Sequence, residues 1–343
     1  AAADADPWIL LVNGVPTFMG GVNWVPLRPD YADVREEDYR VRLEAYRAIG
    51  VNTLRIWGGA GLEQPVFYDL ADELGFLVWQ ELPLSSSALD NYPPDDPDFV
   101  AAFATLAASY VSRIAHHPSL FLWGGGNELT TMPGADGAVV PLSLEHPALA
   151  AAAKVTAELD PDRRFVATSP TGPTLWALPD AYGAGIHHDV HGPWEWDGDF
   201  ASWQSYWDGD DSLLRSEVGM AGASDLTLLE EFGLSGPVST TDERAALRHL
   251  WTHSSAWWLR EFDRWGEGGG TLAEWVEYSQ QRQAEWLGYA AGHTRTRFPE
   301  VGGFIVWLGH DTFPCAVSLS LLDFHGRPKP VADVIGRVFR GEL

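Results

Sequence analysis

The chain has 343 residues, 45% of them hydrophobic, which is enough to bury a large core in one large domain or two medium ones. Its 48 acidic residues outnumber the 22 basic ones, and a net charge of −26 disfavours nucleic acid and anionic lipid as partners. No apolar run of about 18 residues occurs, so no membrane span is expected. The single cysteine, Cys315, excludes a disulfide framework and a cysteine-based zinc site.

Short apolar segments alternate with amphipathic segments in the first half of the chain. Buried strands are predicted for the apolar segments, at residues 18–24, 51–57, 76–82 and 120–124. Helices are predicted for the amphipathic segments between them, at residues 36–49, 63–74 and 99–116. The first two helices are expected to end at Gly50 and Gly75, because glycine readily adopts the conformation that terminates a helix.

The same alternation continues to the end of the chain. Further strands are predicted at residues 164–169, 184–190, 213–218 and 303–308. Further helices are predicted at residues 147–159, through most of 241–298 and at 331–339. Eight buried strands alternating with helices predict a (β/α)8 barrel, a TIM barrel, as a single domain over residues 1–343. An open doubly wound sheet is the alternative, but no glycine-rich dinucleotide motif follows the first strand.

In such a barrel the functional side chains lie at the carboxyl ends of the strands. That rule selects a small set of candidates, namely Arg55, Trp57, Glu81, Asn127, Glu128, His191, Glu217, Trp307 and Asp311.

Two of these carboxylates, Glu128 and Glu217, directly follow the apolar fourth and seventh strands, where a charge is unfavourable unless it has a function. These strands lie on opposite sides of the barrel, so we expect the two side chains to face each other over a pocket. Paired carboxylates are the groups that glycoside hydrolysis requires, and a separation of about 5 to 5.5 Å is expected for a retaining enzyme. Arg55 is expected to keep Glu217 ionised, while a drier surrounding raises the pKa of Glu128. The alternative is that either glutamate is a salt-bridged residue of the rim.

Seventeen tryptophans are far more than usual, and flat aromatic rings suit the faces of sugar rings. Trp57, Trp194 and Trp307 are the candidates for sugar contact, and at least one of Trp57, Trp123 and Trp307 is expected to be partly exposed beside both glutamates. The alternative is that the tryptophans are core residues.

The histidines at 187, 188 and 191 suggest a metal site, but the flanking glycines disfavour the helix that a 187/191 ligand pair would need. We therefore expect no metal and no cofactor, and His191 is expected to bind sugar.

Several segments carry a resemblance to a known family. They are residues 54–59 (LRIWGG), 63–82 (EQPVFYDLADELGFLVWQEL), 117–128 (HPSLFLWGGGNE), 216–219 (SEVG), 302–307 (GGFIVW) and 326–329 (GRPK). In these segments the chain resembles the catalytic barrel of glycoside hydrolase family two and, within that family, the β-mannosidase branch. The resemblance runs from about Val12 to Lys329. The resemblance implies a retaining β-mannosidase with Glu128 as acid/base and Glu217 as nucleophile. It further implies that Asn127 holds the sugar 2-hydroxyl and that Arg55 lies near the nucleophile.

The chain departs from the family pattern at two points. It reads WGGGNE where exo-acting mannosidases of the family usually read WxGNNE, and this form, with HGPWE at residues 191–195, is closer to the endo-acting ones. It also begins at the barrel, without the β-sandwich domains that normally come first, so we expect either an excised or divergent stand-alone barrel or a chain whose other domains were lost. Exo and endo action therefore both stay open.

Other functions are compatible with the same residues. One is a glycosidase for another β-sugar, such as glucosamine or galactose, because an acidic pocket suits a cationic amino sugar. Another is a catalytically silent sugar-binding barrel, which would gain nothing from keeping both Glu128 and Glu217. The sequence also leaves the oligomeric state open. The first six residues do not resemble a secretory leader, but a cleaved leader leaves no trace, so a soluble cytoplasmic and a secreted location both stay open.

Overall fold

The computed structural model describes residues 8–85, 91–135, 137–232, 260–261, 264 and 270–342. Its centre is a sheet of eight parallel strands in the order β5-β4-β3-β2-β1-β8-β7-β6. The strands are β1 (Met19–Trp24), β2 (Thr53–Ile56), β3 (Leu77–Glu81), β4 (Leu120–Gly124), β5 (Arg164–Val166), β6 (Asp189–His191), β7 (Leu214–Val218) and β8 (Gly303–Val306). The last strand pairs with the first, so the sheet curls as predicted, and the (β/α)8 barrel is confirmed.

The two ends of the sheet, β5 and β6, meet at a seam. Between the described residues of this seam the backbone forms isolated bridges, such as Gly172↔Asp189, in place of a continuous ladder. Asp189 also accepts hydrogen bonds across the seam from Ser169 Oγ at 3.1 Å and from the Thr171 backbone N–H at 3.2 Å. A buried carboxylate therefore helps to close the barrel here.

Helices surround the strands. They are α1 (Glu36–Ile49), α2 (Pro65–Leu74), α3 (Pro97–Ile114), α4 (Pro147–Leu159), α5 (Phe200–Gly209), α6 (Leu226–Glu231), α7 (Leu272–Thr296) and α8 (Pro330–Phe339). Helices α1 and α2 end at Gly50 and Gly75 in the left-handed conformation, as predicted. None of the helices described combines the length and the apolar character that a membrane crossing needs.

The predictions were least accurate around the seam. The sixth strand begins at Asp189 and not at residue 184, because the backbone N–H groups of Gly183 and Gly185 bind the Asp211 carboxylate instead of a neighbouring strand. The fifth strand ends at Val166 and not at residue 169.

The helical predictions also need correction. The described connection between β5 and β6 contains one short 3-10 turn, Pro179–Ala181, and no α-helix. Helices α5 and α6 were not predicted. Of the helical prediction for 241–298, α7 is observed, while residues 241–259, 262–263 and 265–269 lie outside the described residues. The single domain over residues 1–343 stays a prediction.

The barrel interior is divided into an apolar and a polar part. In the apolar part Trp8 stacks on Trp79 with ring centroids 5.7 Å apart, and both pack with Leu122, Val166 and Ile305. Charged and amide side chains occupy the rest of the interior, towards the carboxyl ends of the strands. The polar part therefore lies at the end of the barrel where the predicted site residues are.

Candidate active site

Arg55 of β2 is the centre of the polar part of the barrel and has no exposed surface. Its Nε and Nη2 donate to Glu81 Oε1 at 3.0 and 2.7 Å, and Nη1 donates to Glu217 Oε2 at 3.2 Å. Nη2 also donates to Asn127 Oδ1 at 2.5 Å, and Nη1 donates to Asn23 Oδ1. All five N–H donors of the guanidinium are thereby used. Arg55 thus fixes the ends of four strands relative to one another, including the predicted site residues Asn127 and Glu217.

Glu81 was predicted to contact substrate, and the structure places it behind Arg55 instead. Its side chain is fully buried, and Oε2 accepts the Gly58 backbone N–H at 2.7 Å. Burial raises the pKa of Glu81, while the Arg55 guanidinium and the Gly58 N–H act in the opposite direction. Glu81 therefore orients Arg55 and offers no surface to a sugar.

Glu128 is presented by a sharp turn after β4. Its backbone lies in the left-handed region with φ of 50°, which is uncommon outside glycine and found most often at functional sites. The Glu128 N–H donates to Ser169 O at 2.7 Å and so fixes the turn. Gly125 is required for the turn, because a Cβ there would lie 2.3 Å from the carbonyl oxygen of Ala167. The glycine run before Asn127 thus has a steric reason.

Glu217 lies near the end of β7 with both oxygens hydrogen-bonded. Oε2 accepts from Arg55, and Oε1 accepts the indole N–H of Trp194 at 3.0 Å. Burial raises the pKa of Glu217 to about 7; the nearby Glu128 adds to the rise, and His191 and Arg55 oppose it. The contact with Arg55 that the sequence predicts is present and lowers the pKa of Glu217, but burial has the larger effect.

His191 lies between the two glutamates. Its Nδ1 is 2.9 Å from Glu128 Oε1 and 3.6 Å from Glu217 Oε2, and the ring is fully buried. One atom of each of the three side chains lies within 4.8 Å of the other two. The structure therefore brings Glu128 and Glu217 together, as expected from their positions at strand ends.

The same short distances are compatible with a bound cation, but the surroundings oppose one. His191 already uses both ring nitrogens, since Nε2 lies 3.1 Å from Ser169 Oγ. Glu217 Oε2 is bound by a guanidinium whose charge would repel the ion. The absence of a metal stays a prediction.

Three tryptophans form one wall beside the glutamates. Trp57 and Trp307 meet edge to face with centroids 5.3 Å apart, and both pack with Trp194 on the same small apolar cluster. All three are partly exposed. Trp123, in contrast, is fully buried and donates to Asp160 at 2.9 Å, so it is a core residue.

Two other predicted features have partners other than the glutamates. Asp311 is fully buried and accepts from Ser318 Oγ at 3.2 Å beside the buried Lys329, and its contact with substrate stays a prediction. His187 is fully buried and bonded to Asp211 at 2.6 Å, which is a structural contact.

Sequence reasoning missed several residues of the site. Asn23 precedes the last residue of β1 and could have been found by the strand-end rule. Trp176, which is 45% exposed and meets Trp194 edge to face at 5.7 Å, lies in the β5–β6 connection and gave no such signal. Ser169 and Asp189 lie at the ends of the predicted fifth and sixth strands, so the strand-end rule could have found them as well, whereas Ser216 lies inside β7.

The comparisons with known proteins agree with this geometry. The sequence model of the glycosyl hydrolases family 2 TIM barrel domain matches residues 8–184. β-Mannosidase B of Thermothelomyces thermophilus is 26% identical over 348 residues, which are 93% of this chain and 39% of that protein. The β-mannosidase of Mus musculus is 36% identical over 117 residues, which are 34% of this chain and 13% of that protein.

A solved structure gives the same fold. The crystal structure of β-D-mannosidase from Dictyoglomus thermophilum superposes with a TM-score of 0.77 at 24% identity, over 97% of this chain and 40% of that one. The chain therefore spans about two fifths or less of the length of these relatives. With half of its residues matched by the family's barrel domain, a barrel fold and two facing glutamates at strand ends, the chain belongs to glycoside hydrolase family 2.

Proposed function

We propose that this chain hydrolyses β-mannosidic bonds with retention of configuration, with Glu217 as nucleophile and Glu128 as acid/base. The proposal rests on one observation, the short distance between the two carboxylates, which have oxygens within 4.8 Å of each other. Retaining enzymes hold these groups about 5 to 5.5 Å apart, whereas inverting enzymes need about 6.5 to 9.5 Å to admit a water.

The first step forms a bond between Glu217 and the anomeric carbon. A carboxylate oxygen of Glu217 attacks the carbon, the bond to the leaving oxygen breaks, and the proton of Glu128 passes to that oxygen. Arg55 and Trp194 each hold one oxygen of Glu217 and so limit its rotation.

The second step releases the sugar. The Glu128 carboxylate takes a proton from a water, the water oxygen attacks the anomeric carbon, and the bond to Glu217 breaks. Two inversions give net retention.

Asn127 and the tryptophans support sugar binding. Because the Asn127 carbonyl oxygen accepts from Arg55, its amide hydrogens remain as donors for a sugar hydroxyl. Trp57, Trp194 and Trp307 supply the partly exposed aromatic surface. Mannose is favoured because the relatives compared above are named β-mannosidases.

A panel of nitrophenyl β-glycosides tests the proposal. We expect the mannoside to be cleaved with a higher kcat/KM than the glucoside, galactoside or glucosaminide, and NMR to show the β-anomer as the first-formed sugar. Preference for the glucosaminide would replace mannose by an amino sugar. An α-anomer would mean an inverting site and would overturn both residue roles.

A further inference from the structure

A buried polar group lies behind His191, on the side away from the glutamates. It consists of Asp189, Ser169 and Ser216, all fully buried. Ser169 Oγ is 3.1 Å from His191 Nε2, 3.1 Å from Asp189 Oδ2 and 2.8 Å from Ser216 Oγ, and Ser216 Oγ donates to Asp189 Oδ1. None of the three has a role in the reaction described above.

Counting hydrogens in this group assigns the donor at His191. The Asp189 carboxylate only accepts, and each serine hydroxyl carries one hydrogen. Ser216 gives its hydrogen to Asp189, and Ser169 gives its own to Asp189 or Ser216. Ser169 then has no hydrogen left to donate to His191. Their contact can therefore be a hydrogen bond only if Nε2 of His191 carries the hydrogen and donates it to Ser169 Oγ. The network thus favours the tautomer of His191 that is protonated on Nε2.

This tautomer leaves Nδ1 of a neutral His191 as an acceptor. Glu128 Oε1 lies 2.9 Å from Nδ1, so the hydrogen of that contact belongs to the Glu128 carboxyl group. This is the hydrogen that the first step of the reaction transfers. In the opposite tautomer, Nδ1–H would donate to Glu128 and stabilise its carboxylate, which is the wrong form for an acid.

The other charges around His191 favour the opposite tautomer. Glu128 and Glu217 both face Nδ1 and attract a proton there, and the Arg55–Glu81 pair lies next to them. On the other side of the ring, Asp189 acts on Nε2 through Ser169. The position of the proton is therefore set by a competition between the groups on the two sides of the ring.

We propose that Asp189, acting through Ser169, holds His191 in the tautomer protonated on Nε2 and thereby keeps the acid proton on Glu128. Asp189 and Ser169 are positioning residues, and neither touches the substrate. The inference rests on the proposed roles of Glu128 and Glu217 and adds to them the group that supplies the correct protonation.

The variant Asp189→Asn tests the proposal, because its amide can donate to Ser169 and turn that hydroxyl towards Nε2. We expect kcat/KM for mannobiose, which needs acid assistance, to fall about 100-fold, and that for dinitrophenyl β-mannoside, which does not, to change little. Glu128→Ala is the reference and should show the same dependence on the leaving group more strongly. Ser169→Ala should follow Asp189→Asn, because it breaks the same link.

Ser216→Ala is the matched control. It removes a hydroxyl of the same buried group but leaves the link from Asp189 to Ser169 and His191 intact, so any loss should be equal for both substrates. Equal losses on both substrates in Asp189→Asn would mean a purely structural role for Asp189 and would overturn the proposal.

NMR of protein with isotopically labelled histidine nitrogens gives a readout independent of activity, with His191 assigned by the variant His191→Gln. We expect the proton on Nε2 in the unsubstituted protein and on Nδ1 in Asp189→Asn. A proton on Nδ1 alone in the unsubstituted protein would overturn the inference even if Asp189→Asn fails to fold. If no β-mannoside is cleaved but Nε2 is protonated in an Asp189-dependent way, the tautomer assignment stands and the proposed function fails.

Discussion

At the scale of single residues, the pKa of Glu217 differs from the value that its hydrogen-bond partners alone suggest. Arg55 and Trp194 bind its oxygens, yet burial dominates and raises its pKa to about 7. Burial and these two hydrogen bonds therefore act on the pKa of Glu217 in opposite directions.

Replacing Glu217 by glutamine tests the nucleophile. The side chains are nearly isosteric, so the fold should be kept, and the amide cannot attack the anomeric carbon. We expect kcat/KM for nitrophenyl β-mannoside to fall by several orders of magnitude, with an unchanged circular dichroism spectrum. Activity within about tenfold of the unsubstituted protein would mean that Glu217 is not the nucleophile.

The same variant predicts a pH dependence of stability. The pKa of Glu217 rises from 4.5 to about 7 on folding, so its contribution favours the native state below pH 4.5 and is lost as the pH rises through 7. The full loss corresponds to about 3 kcal/mol. The free energy of unfolding of Glu217→Gln, relative to the unsubstituted protein, should therefore increase by up to about 3 kcal/mol between pH 4.5 and 8.

Denaturant unfolding at several pH values measures this difference. Glu158→Gln, on the exposed surface of α4, is the control for the substitution itself. A difference for Glu217→Gln that does not vary with pH would contradict the raised pKa.

At the scale of elements, the turn after β4 and the β5–β6 connection carry the site in different ways. The turn after β4 is held by backbone hydrogen bonds to both neighbouring connections, from Asn127 N–H to Leu84 O at 2.8 Å and from Glu128 N–H to Ser169 O at 2.7 Å. The β5–β6 connection has no α-helix and places Trp176 against Trp194. The first element positions Glu128, the proposed acid/base, whereas the second can extend the proposed sugar-binding surface.

Trp176→Ala tests whether the β5–β6 connection binds sugars beyond the cleaved bond. Because the ring is 45% exposed next to the tryptophan that contacts Glu217, we expect kcat/KM for mannotetraose to fall up to about tenfold, the size of a lost aromatic contact. The kcat/KM for nitrophenyl β-mannoside should stay nearly constant. Leu178→Ala, 41% exposed in the same connection, is the control. Equal losses of kcat/KM on both substrates would mean that Trp176 does not contact sugars beyond the cleaved bond.

At the scale of the whole molecule, the barrel separates an apolar part of its interior from a polar part towards the carboxyl ends of the strands. The interior charges are paired within the protein, with Arg55 between Glu81 and Glu217 and with His191 between Glu128 and Ser169. A network that already satisfies its own donors and acceptors needs no cation to hold it together.

We therefore expect EDTA to leave the activity on nitrophenyl β-mannoside unchanged. Incubation with the chelator, followed by gel filtration and assay, measures this, and re-addition of divalent ions is the control. A large loss that divalent ions restore would indicate a metal and would require new roles for Glu128, His191 and Glu217.

The sequence by itself determined the barrel, the strands that end in functional residues, and the two facing glutamates. Hydrophobic periodicity and glycine residues at helix ends are local properties that can be recognised in the sequence. A barrel brings the carboxyl ends of its strands together irrespective of the sequences of its loops. The positions of Arg55, Asn127, Glu128 and Glu217 follow from this rule.

Tertiary structure determined the burial of these side chains and the contacts between residues far apart in the chain, which the strand-end rule does not predict. Burial, which depends on every neighbour, places Glu81 behind Arg55, makes Trp123 a core residue, and raises the pKa of Glu217. Trp176 meets Trp194 from an irregular connection with no periodic pattern, and Asp189 and Ser169 meet across the barrel seam. Their roles depend on contacts between residues far apart in the chain, and such contacts leave no local signal in the sequence.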